Sequence, residues 1–466
     1  MAISRRQFIK RTTATSIGAG LALSVSPSLL AGPKQPENLL GKVENKKKSL
    51  VFIMLDGGND SYNMLVPTSD KHYREYKETR SNLALAKHDL LPLDGYQDKH
   101  GRSFGIHPSM PELQQLFAKN KLAFIANIGP MIEPINKRAF YSGGVELPLG
   151  LMSHADQFKH WQTARPNERT NRGWFGYLAD SLQSGKRMEE VPMGISLAGS
   201  NIMQSGLQSS PYAITDDGSV GLFIKEQDSD LNKTLLNYFE QSLNMSYPGD
   251  PFKLNYQDIT RKAQAVHEVF SSALESIKVQ TVFESTSLSQ QLKIIARTIK
   301  AADNLGHMQQ TFFVRYIGWD HHDELLNNHA HMLKVLSQAL GSFQICLEEL
   351  GVADQVITFT GSDFGRTLTS NGNGTDHGWG GNTIVIGNNV NGGCVYGDYP
   401  SLLLGEQNPL DIGGGVLIPS LSIDELYAEL ALWFGVNDQQ LYKLFPNLKN
   451  FVEPGKKTGL SGIIKY

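Results

Sequence analysis

Apolar runs that stop abruptly at glycine and acid recur along this chain. Residues 50–55 are uniformly apolar and run into Asp56-Gly57-Gly58-Asn59-Asp60. Residues 356–360 run into Gly361-Ser362-Asp363, and residues 311–317 into Gly318-Trp319-Asp320-His321-His322-Asp323. Continuous hydrophobicity over such short lengths predicts strands buried on both faces, as in a parallel sheet. An acid just past the carboxyl end of such a strand falls where open α/β sheets keep their ligands. Further strands are predicted at residues 121–128, 193–197 and 383–387. Helical spacing covers residues 174–182 and 423–434 and most of 228–306, with breaks at 247–251 and 281–289. Ser109-Met110-Pro111-Glu112 reads as a capping box opening a helix to about Asn120. If Asp323 caps the next helix, His322 and His329, seven apart, lie near one face of it. The pattern therefore predicts an α/β fold, with a central, mainly parallel sheet flanked by helices and a helical insertion at about 228–306.

Composition narrows the function classes. A net charge of -3, with no basic stripe beyond Lys46-Lys47-Lys48, speaks against a nucleic-acid partner. The two cysteines, Cys346 and Cys394, do not make a disulfide scaffold. Cys346 falls in an apolar helical pattern and is expected to be a buried free thiol. At the amino terminus, Ser4-Arg5-Arg6-Gln7-Phe8-Ile9-Lys10 precedes a mildly apolar segment, residues 14–30, interrupted by Gly18 and Gly20. This is a twin-arginine signal pattern, too short and broken for a membrane span. Residues 1–31 are accordingly expected to be a signal peptide, with residues 32–466 as the mature α/β domain; an uncleaved anchor is the alternative. Export to the periplasm implies the twin-arginine machinery as a partner and only transient contact with the membrane.

Chemistry concentrates at the strand ends. His377 lies among glycines in Gly374-Thr375-Asp376-His377-Gly378, a loop too poor in apolar side chains to be held by packing, so a metal ion is a candidate for holding it. Asp363, Asp56 and the Asp320/His322 pair occupy comparable strand-end positions. Carboxylate mixed with imidazole suits zinc, manganese or iron better than calcium or magnesium. Ser153 stands at a predicted helix start, where a serine either caps the helix or attacks a phosphoryl or similar group. Arg366 either clamps an anion in bidentate fashion or pairs with a neighbouring carboxylate.

Six motifs carry a family resemblance: Leu55-Asp56-Gly57-Gly58-Asn59-Asp60, Met152-Ser153-His154, Gly318-Trp319-Asp320-His321-His322, Gly361-Ser362-Asp363-Phe364-Gly365-Arg366-Thr367, Gly374-Thr375-Asp376-His377-Gly378-Trp379-Gly380 and Leu444-Phe445-Pro446-Asn447-Leu448. In these the chain resembles the exported domain of unknown function 1501 family, itself similar to the alkaline phosphatase and sulfatase superfamily. The resemblance implies an alkaline-phosphatase-like fold and a metal-dependent hydrolase of phosphate or sulfate esters, acting on a small anionic ester. It implies Ser153 as nucleophile, with Asp56, Asp320, His322, Asp363 and His377 as ligands of one or two divalent ions, zinc or manganese. Asp60 rivals Asp56 for the first position. Phe364 departs from the superfamily pattern, which places a metal-binding histidine there, so a one-metal or degenerate site is open. The alternative function is a non-catalytic periplasmic binding or assembly protein that keeps the fold and a structural metal. Replacing Arg5 and Arg6 together by Lys is expected to leave precursor in the cytoplasm, because the receptor reads the arginine pair rather than its charge. Cell fractionation and blotting check this, and an unchanged periplasmic yield would refute the assignment.

Overall fold

Among the described residues, nine strands form the main sheet: β1 (Lys48–Asp56), β2 (Leu122–Gly129), β3 (Gly194–Ser196), β4 (Tyr212–Ala213), β5 (Gln309–Ile317), β6 (Val356–Ser362), β7 (Gly381–Ile386), β8 (Cys394–Tyr396) and β9 (Leu421–Ser422). They come from a computed structural model whose described residues are 46–183, 191–222 and 229–466; the expected signal peptide lies outside them. The order is β8-β2-β7-β6-β1-β5-β3-β4, with β9 also on β2. Only β7 runs against its neighbours, β2 and β6; all other pairings are parallel. The sheet is thus mainly parallel, as the apolar runs predict.

Burial explains why these strands read so clearly. Leu50, Val51, Phe52, Ile53 and Met54 of β1 have no exposed surface, because the strand lies between β5 and β6 and is covered on both faces. Each such side chain contributes about 1.5–3 kcal/mol through removal from water. One face packs on the helix Ile423–Phe434 and on Trp174, whose indole stacks on Tyr427 at 4.8 Å. The other packs on α-helices at Ser287–Lys300 and Leu325–Glu349. Helices Asp230–Asn244 and Pro251–Glu275 precede these within the stretch expected to be helical. Cys346 is buried and unbridged, and burial pushes its thiol up to about 12. Among the described residues, no helix is long and apolar enough to cross a membrane.

Two local expectations fail for identifiable reasons. The helix after Ser109 spans Pro111–Ala118 with Met110 at its N-cap and no side-chain cap. Proline at the first helical position starts it without one, and Glu112 instead accepts a 2.6 Å hydrogen bond from Ser337. The helix after Asp323 starts at Leu325, with Glu324 in the left-handed region at φ 48°. That break separates the two histidines. His329 is buried and bonded to Asn59 at 2.9 Å, whereas the His322 ring turns towards His377.

Asp60 also serves the fold. It is fully buried, and its carboxylate pairs with the buried Arg80 of the helix Asp70–Arg80. The Arg80 guanidinium also donates to Asn63 at 3.2 Å and to the Thr367 and Leu368 carbonyls at 3.1 Å, tying the first strand's loop to the segment after β6. Burial pushes the Asp60 carboxyl up against the opposing pull of Arg80. Replacing Asp60 by Ala would strand a buried guanidinium and is expected to cost about 3–5 kcal/mol. Urea denaturation checks this, with a loss below about 1 kcal/mol counting against the structural role.

Candidate metal centre

Three adjacent parallel strands, β5, β1 and β6, deliver Asp320, Asp56 and Asp363 to one edge of the sheet. Gly57 makes the close approach possible. At φ 123° it adopts a conformation available chiefly to glycine, and a Cβ there would lie 2.5 Å from the Asp320 backbone nitrogen. Its N–H donates to Asp363 Oδ2 at 3.2 Å. A second contribution comes from the helix His154–Thr163, hereafter α1, and a third from the loop carrying His377.

His154, Asp320 and His377 converge, each offering a ligand atom within 4.8 Å of the others. His322 joins them, with its Nε2 3.1 Å from Asp320 Oδ1 and 3.1 Å from His377 Nε2. His154 Nε2 stands 3.4 Å from Asp320 Oδ2, and His377 Nε2 3.7 Å from Asp320 Oδ1. Donors around a tetrahedral ion with bonds of about 2.0–2.1 Å lie about 3.3 Å apart, so these spacings fit one ion. All four side chains remain partly open to solvent.

The far side of each imidazole is already engaged. His154 Nδ1 donates to Asp363 Oδ2 at 2.6 Å, His377 Nδ1 to the Met152 carbonyl at 2.8 Å and His322 Nδ1 to Asp376 Oδ1 at 3.2 Å. With hydrogen on Nδ1, each Nε2 presents its lone pair inward, the arrangement that orients metal-bound histidines. Two such nitrogens 3.1 Å apart repel unless a cation or proton lies between them. His154 Nε2 is buried with no hydrogen-bond partner. The residues present therefore fit a borderline divalent metal.

Electrostatics follow the same division. Burial pushes the Asp363 carboxyl up, and the hydrogen bond to Asp363 raises the His154 imidazole. Burial lowers the His377 imidazole. Burial alone would raise Asp320, but the Arg366 guanidinium and then the nearby imidazoles hold it below the usual carboxylate range.

Other expected site residues have different placements. Asp56 pairs with Arg315 and is not among the converging ligands. Asp60 lies apart, bound to Arg80. Asp363 stands behind His154 rather than in the ligand group, with its Oδ1 buried and unpartnered. Arg366 has no exposed side-chain surface. It donates to Asp320 at 2.6 Å, to the Gly57 carbonyl at 3.1 Å, to Thr375 Oγ1 at 3.3 Å and to the Thr375 carbonyl, so four of its five N–H groups are engaged within the protein. Ser153 occupies the N-cap of α1, yet its side chain makes no capping hydrogen bond. Phe364 follows Asp363, its ring 4.8 Å from His154 and 4.7 Å from His377. His154 was not among the sequence-derived ligands. The available signal was its place beside Ser153 at a helix start, in a motif already singled out.

No curated protein matches the chain in sequence. Solved structures with a detectable likeness include Ps i-CgsB in complex with k-i-k-neocarrahexaose, at 11% identity and a TM-score of 0.36, covering 89% of this chain and 78% of that one. The PH0037 protein from Pyrococcus horikoshii is 10% identical, with a TM-score of 0.30 over 85% of this chain and 98% of that one. The lipoteichoic acid synthase LtaP from Listeria monocytogenes is 10% identical, with a TM-score of 0.27 over 87% and 82%. At these TM-scores none of them bears on the chemistry of the site. Residues 47–450 match the family described as protein of unknown function (DUF1501), and the chain belongs to that family.

Proposed function

We propose that the chain binds one divalent metal ion, zinc or manganese, through His154, Asp320, His322 and His377, and hydrolyses phosphate or sulfate esters with Ser153 as nucleophile. The observation that carries this reading is the pair of Nε2 atoms of His322 and His377, 3.1 Å apart, with both Nδ1 hydrogens committed elsewhere. When bound, the metal would supply Lewis acidity and lower the pKa of a bound hydroxyl.

The remaining steps fall to the chain's own groups. Ser153 presents a hydroxyl not spent on capping, next in sequence to the ligand His154 and at the positive end of the α1 dipole. The amides there favour the negative charge of a transferred group. Asp363 and the Met152 carbonyl fix the His154 and His377 rings, and Arg366 fixes Asp320. A second reading, a binding protein with a structural metal, is favoured by Phe364, whose phenyl group cannot ligate.

Replacement of His154, Asp320 or His377 by Ala is expected to reduce metal per chain, measured by elemental analysis, while the circular dichroism spectrum is kept. Wild-type metal content in all three variants would sink the centre. Asp363→Asn is expected to weaken metal affinity by about 10–100-fold, because it replaces the charged acceptor that orients the His154 ring by a neutral one without removing a ligand. Chelator competition reads that change. Ser153→Ala should retain the metal and lose hydrolysis of aryl phosphates and sulfates. Its stability should change by less than the roughly 1 kcal/mol of a working cap. Turnover near wild type in that variant would remove Ser153 from the mechanism, and no turnover by metal-loaded wild type would favour the binding-protein reading.

A further inference from the structure

We propose that Arg315 is the side chain that grips the oxyanion of the ligand, a role that rests on the ester-hydrolase reading of the metal centre. Arg366 is excluded by burial and by its four acceptors. Arg315, near the end of β5, has 43% of its side chain exposed. Its Nε donates to Asp56, and among the described residues its two terminal nitrogens meet no acceptor. A guanidinium anchored through Nε keeps its outer fork fixed in direction, the geometry that takes two oxygens of a phosphate or sulfate at once.

Position supports the assignment. The guanidinium lies over the Phe158 ring, 5.0 Å from its centre. Phe158 and His154 are four residues apart in α1, hence on one helix face and about 6 Å apart along the axis. The same neighbourhood is reached along the chain. Asp56, the partner of Arg315, is followed by Gly57, whose N–H is bonded to the Asp363 oxygen that also accepts from His154. Arg315 therefore lies beside the second turn of α1, about one turn along the helix from His154, and is paired with Asp56.

The pairing also accounts for what became of Asp56. Its carboxylate is taken by the fixed positive charge of Arg315. Phe364 closes the neighbouring place with an apolar ring. The consequence is a site with one metal and one organic cation, suited to an ester group carrying one or two negative charges. Because Asp56 neutralises the charge of Arg315, selection comes from the directed N–H fork rather than from a diffuse positive field.

The test uses the full chain loaded with zinc or manganese and measures calorimetric binding of inorganic phosphate and of sulfate to wild type, Arg315→Lys and Arg315→Met. Expected are one metal per chain in all three proteins, binding of at least one anion by wild type, and affinity weakened about tenfold or more by Met. Lys should fall between them, since it keeps the charge but not the fork. Equal anion affinity in wild type and Arg315→Met would overturn the role of Arg315 and leave the hydrolase reading standing. A second metal ion gained by Arg315→Met would also overturn it, marking Arg315 as a charge filler. If metal-loaded wild type binds neither anion, the hydrolase reading itself fails and the role of Arg315 falls with it.

Discussion

A buried guanidinium holds the functional end of this protein together. Arg366 has no exposed side-chain surface and joins three segments far apart in sequence: the turn after β1 through the Gly57 carbonyl, the loop after β5 through Asp320, and the glycine-rich loop through Thr375. A backbone bridge between Arg366 and His377 adds to this link. Burying such a charge is unfavourable unless nearly every donor finds an acceptor, and here the acceptors are the loops that carry the candidate ligands. Desolvation thus becomes a positioning constraint. The glycine-rich loop has few apolar side chains to pack, but it supplies oxygens to a cation that cannot do without them.

The same logic distributes the carboxylates. Four acids, at 56, 60, 320 and 363, lie at ends of parallel strands, and local geometry alone would let any of them bind a metal. Their partners separate them. Asp60 is enclosed with Arg80, and Asp56 faces the more open Arg315. Asp363 is turned to His154, leaving Asp320 as the acid surrounded by imidazole nitrogens. Asp320 accepts from Arg366 as well, so what singles it out is the group of imidazoles around it rather than freedom from an arginine. Phe364 sharpens the outcome by placing an aromatic wall against His154 and His377, which keeps the centre small.

Much of the fold was legible because it rests on local pattern. The runs at 50–55, 311–317 and 356–360 became β1, β5 and β6, and their largely apolar character has one simple cause, burial between neighbours, which ends in β5 at the exposed Arg315 and Ile317. Legibility ended where tertiary partners override local chemistry. Ser109 and Glu112 have the spacing of a capping box, but Glu112 is taken by Ser337 from a helix more than 200 residues away. Spacing also set His322 beside His329, whereas the left-handed residue Glu324 turns one into the site and the other into the interior. The family pattern drew attention to Ser153 and away from His154. Only the fold shows that Asp363, more than 200 residues distant, aims that imidazole at Asp320.

The short stretch at 152–154 concentrates departures from what local stability would choose. Met152 takes φ 65°, a conformation that costs a non-glycine residue about 1–3 kcal/mol, while its carbonyl accepts from His377. Ser153 stands at a helix N-cap and forgoes the hydrogen bond that would contribute about 1 kcal/mol there. His154 buries a nitrogen with no hydrogen-bond partner, opposite an Asp363 oxygen that is likewise unpartnered. Each departure alone is tolerable in a chain with so large a core. Met152 does pack against the cluster of Met131, Trp379 and Ile418, but the departures at Ser153 and His154 are unmade hydrogen bonds, which apolar packing does not account for. Sequences keep such conflicts where a ligand or a reaction resolves them. A cation at His154 Nε2 would satisfy the orphaned nitrogen, make use of the carbonyl that Met152 turns towards His377, and give the uncapped Ser153 hydroxyl a purpose.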